Sequence, residues 1–135
     1  MDIRVAYLGN DAPYFNKLQK KFKQDYPAIH FEFIHFSIHE CSAPIKCFIR
    51  IYELFPHIIY LDYSLEPTNL IRLAKLIGRN NEMRIISIVG LYNQRNKSEV
   101  LLKSLNASVR INYLKSDEIQ DVVYDPVSLL DVDLA

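Results

Sequence analysis

Apolar runs and helix-spaced stripes alternate along the chain, and that alternation carries the first prediction. The run IRVAYLG at 3–9 is short, apolar and closed by a glycine, the pattern of a buried strand. YFNKLQKKFKQDYP follows, with Tyr14, Phe15, Leu18 and Phe22 at helical spacing and Lys17, Lys20, Lys21 and Lys23 between them. Pro13 suits the first turn of that helix, with Asp11 or Ala12 in the cap region, and Pro27 closes it. HFEFIHFSI at 30–38 is rich in aromatic and β-branched residues and predicts a second strand. SAPIKCFIRIYELF opens at Ser42 and sets Ile45, Phe48, Ile49, Tyr52 and Phe55 on one expected core face, up to Pro56. A third strand is predicted at 58–62, IIYLD. After Pro67, Leu70, Ile71, Ala74 and Ile77 form another stripe, with Gly78 as its expected C-cap. RIISIVG at 84–90 predicts a fourth strand, KSEVLLKSL at 97–105 a helix, VRIN at 109–112 a fifth strand and SDEIQDVVY at 116–124 a last helix.

The order is βαβαβαβαβα. Strands that are apolar throughout belong in a parallel sheet covered on both faces, since a half-exposed strand would alternate. The expected fold class is therefore α/β, a doubly wound five-stranded parallel sheet of order 2-1-3-4-5, flavodoxin-like. The expected domain spans 1–125, and 126–135 forms a tail or linker, because Pro126 interrupts a helix.

Composition narrows the function classes. The 135 residues suit one domain, and 16 basic against 16 acidic residues give no net charge that would recruit nucleic acid or an anionic membrane. Cys41 and Cys47 have apolar neighbours and are expected to be inert thiols. His35 and His39 are four apart, but His35 falls in a strand pattern, where that spacing does not converge on a metal as it would on a helix. Three glycines and no Gly-rich loop argue against a nucleotide or flavin enzyme, so the chain is read as a non-enzyme. No stretch has membrane-span length and no signal peptide is evident, so a cytoplasmic protein is expected. The lysine-rich helix is read as a solvated face, and Tyr63, Tyr92, Tyr113 and Tyr124 as residues that could be exposed at a protein interface.

In a doubly wound sheet, ligands bind outside the carboxyl ends of the strands at the switch point. Asn10 and Asp11 follow the first strand, Asp62 ends the third and Gly90 the fourth, so two carboxylates are brought to one end. Asp62 is either a carboxylate nucleophile beside a magnesium site or simply the polar terminus of a strand.

With that order and spacing, the chain resembles the receiver domain of two-component response regulators over residues 3 to about 125. The resemblance makes Asp62 the phosphoacceptor candidate, with Pro67 shortly after it, and Asp11, Asn10 and the carbonyl of Ser64 the metal candidates. It also implies departures. Asn10 replaces an acid, and Gly90 stands where the family has a hydroxyl residue. The family's lysine position falls on Tyr113 in one alignment and on Lys115 in another, while the aromatic switch position becomes Arg110 or Asn112. A phosphoryl group of charge roughly −2 needs partners to offset it, so the expectation is a degenerate pseudo-receiver. It would act by protein–protein contact, with no cofactor; the alternative is a working receiver phosphorylated on Asp62 with Mg2+ held by Asp11. The resemblance places partner or homodimer surfaces at about 97–124.

Overall fold

The computed structural model describes residues 2–63, 67–92 and the backbone of 111–115, with the side chains of Ile38, Cys41 and Pro67 outside that set. The expected helices at 97–105 and 116–124, Ser64, Arg110, Tyr124 and the tail lie outside the described residues. Strand β1 is Asp2–Leu8, helix α1 Ala12–Asp25, β2 His30–Phe36, α2 Ile38–Cys41 and α3 Pro44–Leu54. Then come β3 Ile58–Asp62, α4 Pro67–Arg79, a 3-10 turn Glu82–Ile85, β4 Ser87–Tyr92 and β5 Ile111–Lys115.

The five strands form one sheet of order β2-β1-β3-β4-β5, and every pairing is parallel. All five residues of β3 are buried, as a central parallel strand covered on both faces requires. Alternate residues feed two cores. Tyr7, Tyr60, Val89 and Leu91 pack with Tyr14, Leu18 and Phe22 of α1, and Leu8, Ile59, Leu61 and Ile88 pack with α3 and α4. Asp11 caps α1, its Oδ1 accepting from the Tyr14 amide at 2.9 Å, and Pro13 sits in the first turn. The lysines of α1 stay at the solvent side, where Lys21 pairs with Asp25 at 3.3 Å.

Several local expectations are corrected. The short helix α2 arises from a capping box in which Ser37 and Glu40 satisfy each other's backbone amides, an S-x-x-E signal that overlaps the end of the predicted second strand. Helix α3 buries Cys47 and Ile51 instead of the full predicted stripe. Ile45, Ile49 and Tyr52 are 68%, 50% and 41% exposed, while Phe48 and Phe55 are partly buried against the core. Helix α4 runs through Gly78, which has no positive φ, so the glycine is not a left-handed cap. Arg84 and Ile85 belong to the 3-10 turn, with β4 beginning at Ser87. Strand β5 lies two to three residues later than predicted. Tyr63 is 0% exposed, which removes it from any interface. Cys47 is buried, as expected of an inert thiol.

Candidate functional site

The carboxyl ends of β1 and β3 define the site. Asp62 closes β3 and is only 5% exposed, and it is the one buried charged residue among those described. Asn10 and Asp11 follow β1, as the order of elements required. The β3–β4 pairing sets Leu91 level with Asp62 and Gly90 level with Leu61, and neither Gly90 nor Leu91 carries a hydroxyl. In β5, Tyr113 is level with Gly90, and Lys115 closes the strand level with Tyr92.

A residue that the sequence reading passed over joins these elements. Tyr7 sits in β1 opposite Tyr60, two residues short of Asp62 on the same sheet face. Two residues of strand span roughly 6.6 Å, about the reach of a tyrosine hydroxyl. Tyr7 Oη accordingly donates to Asp62 Oδ2 at 3.0 Å and accepts from the Asp11 amide at 3.2 Å. One phenol thus ties the carboxyl end of β3 to the start of α1.

The surroundings hold that phenol in place. Its ring is 0% exposed, stacked on Phe15 at 5.4 Å between centroids and flanked by Tyr14 and His35. His35 Nε2 lies 2.6 Å from the Gly9 carbonyl, and because a carbonyl only accepts, the proton is on Nε2. A Cβ at Gly9 would meet Tyr7 Oη at 2.6 Å and Asp62 Cβ at 2.8 Å, so only glycine leaves room for the Tyr7–Asp62 contact. A tyrosine followed two residues later, on the same strand face, by a glycine was the available signal. A buried phenol needs a partner, and the missing side chain leaves space for one.

Burial, and then the negative charge of Asp62, push the Tyr7 pKa far above the ordinary phenol value of 10.0. Burial also raises Tyr14, followed by the charges of Tyr7, Asp62 and Asp11. The hydroxyl of Tyr14 is buried with no hydrogen-bond partner among the described residues. Tyr7 is therefore a fixed proton donor to Asp62 across the ordinary pH range.

Solved structures that superpose on this chain include response regulators and receiver domains. A protein of Chloroflexus aurantiacus J-10-fl described as a response regulator superposes with a TM-score of 0.70 at 16% identity, covering 98% of this chain and 100% of that one. The Mn2+-bound form of the response regulator Rcp1 gives 0.60 at 21% identity, covering 97% and 98%. The receiver domain of a signal transduction histidine kinase from Syntrophus aciditrophicus gives 0.59 at 12% identity, covering 93% and 83%. No family model and no curated protein matches the chain. The chain has the fold of a response-regulator receiver domain. No helix among the described residues is long and apolar enough to cross a membrane.

Proposed function

We propose that this chain is an atypical receiver domain that serves bacterial signal transduction through protein–protein contacts, with weak or no phosphorylation switching. The observation that carries this reading is the Tyr7 hydroxyl bound to Asp62 Oδ2. Phosphorylation needs the Asp62 carboxylate bare enough to attack phosphorus, with a cation beside it to offset charge. Here Oδ2 already accepts a proton donor, Tyr7 Oη also receives the Asp11 amide, and Asp11 Oδ1 is committed to the cap of α1. Asn10 contributes no charge. With one oxygen of each carboxylate engaged and a neutral amide at Asn10, the charge left to hold Mg2+ is reduced, which favours weak metal binding. The lack of a hydroxyl at Gly90 and Leu91 points the same way, because a switch moves only by the contacts that differ between its states.

Incubation with Mg2+ and acetyl phosphate, followed by intact-mass measurement, tests the reading. The expected result is no phosphoryl adduct on the wild-type chain. An adduct that disappears in Asp62→Asn would establish a working receiver phosphorylated on Asp62 and overturn the proposal.

A further inference from the structure

The face of α3 that the core leaves uncovered adjoins a cleft against α4. The cleft holds about 310 Å³ and is lined by Pro44, Ile45, Arg72, Lys75, Leu76 and Arg79. Two stripes run beside it along the helices. Ile45, Ile49 and Tyr52 repeat at i, i+4 and i+7 on α3 and are all exposed. Arg72, Lys75 and Arg79 repeat at i, i+3 and i+7 on α4, and none forms an ion pair with a described residue. Exposed aliphatic side chains at helical spacing cost solvation free energy with no return inside the domain.

We propose that this cleft receives an acidic amphipathic helix of a partner protein, which seats aliphatic side chains on Ile45 and Leu76 and sets carboxylates against Arg72, Lys75 and Arg79. The proposal rests on the reading of the domain as a protein-interaction module and names its surface and its partner's chemistry. Charge complementarity selects the occupant. A third helix laid along two packed helices meets both stripes over its length, the helix-in-groove arrangement read as i, i+3, i+4 and i+7 anchors. A second copy presenting the same face would bring three cations against three, which repels. Nucleic acid would satisfy the cations but would leave the apolar floor of Pro44, Ile45 and Leu76 unused.

The test is fluorescence anisotropy with a synthetic amphipathic helix carrying leucine on one face and glutamate on the other, added to the full chain. Saturable binding is expected, weakened roughly tenfold or more by Arg79→Glu or by Ile45→Asp. Both sites are exposed, so unchanged thermal melts will show that these variants fold. A peptide with lysine in place of glutamate should not bind, and single-stranded DNA should not compete. Absence of saturable binding overturns the proposal. So does equal binding by the two variants, binding of the lysine peptide, displacement by DNA, or self-association of the chain that Ile45→Asp abolishes. None of these outcomes bears on the acetyl phosphate experiment, so failure of the cleft and failure of the receiver reading remain distinguishable.

Discussion

Replacing Tyr7 with phenylalanine removes one oxygen and keeps the ring, so it isolates the contact on which the site turns. The stacking on Phe15 at 5.4 Å survives, and the hydrogen bond to Asp62 Oδ2 at 3.0 Å does not. A hydrogen bond to a charged group contributes roughly 1.5–3 kcal/mol, and the Asp11 amide loses its acceptor for about 1 kcal/mol more. The expected destabilisation of Tyr7→Phe is therefore about 2–4 kcal/mol near neutral pH, or roughly 10 °C in Tm for a domain of this size. Urea unfolding of the wild type, Tyr7→Phe, Asp62→Ala and the double variant closes a cycle that separates the pair from the packing around it. A coupling of roughly 1.5–3 kcal/mol is expected; additivity to within about 0.5 kcal/mol would refute the claim that these groups act as a unit. The pH dependence gives a second reading. Below the ordinary phenol value of 10.0, Tyr7 is protonated in both states and its contribution is fully present. As pH rises past that value the unfolded chain releases the proton while the folded chain keeps it, so stability falls until the raised folded pKa is reached. The slope is about 1.4 kcal/mol per pH unit for each such phenol. Tyr7→Phe should flatten the alkaline limb by about one phenol's share, leaving that of Tyr14.

Two further substitutions probe the frame around the pair. Gly9→Ala forces a Cβ to within 2.6 Å of Tyr7 Oη and 2.8 Å of Asp62 Cβ, and the buried Tyr7 ring has nowhere to swing. The expected cost is about 1–3 kcal/mol by chemical denaturation, and a variant within about 0.5 kcal/mol of wild type would show that the two side chains are not held as described. Asp11→Ala removes the cap of α1 and should cost about 1 kcal/mol while speeding hydrogen exchange at the Tyr14 amide; unchanged exchange there would rule out the cap.

Much of the fold was legible because its requirements are local. A strand buried on both faces is apolar along its length, and IIYL at 58–61, bounded by Pro56 and Asp62, fits that pattern. Prolines at 13, 44 and 67 mark the first turns of α1, α3 and α4, where a missing amide costs nothing. The order of these elements then brought Asp11 and Asp62 to the same end of the sheet. Weak signals failed where two patterns overlapped. Ser37 and Glu40 form a capping box at the end of an aromatic strand run, and the run masked it. In α3, apolar residues stand at 45, 47, 48, 49, 51, 52, 54 and 55, so no single stripe is singled out by spacing.

The sequence by itself determined the order of the strands, the starts of α1, α3 and α4, and the placement of an aspartate at the carboxyl end of a central strand. Each follows from solvation and backbone constraints within a few residues. Only the tertiary structure decided which side of α3 met the core, since the choice depends on what α4 and the sheet present to it. Only parallel pairing between residues 55 apart in the chain brought the Tyr7 hydroxyl to Asp62. A hydrogen bond of that kind has no local cause. It exists because strand register, side-chain length and the empty space over Gly9 coincide.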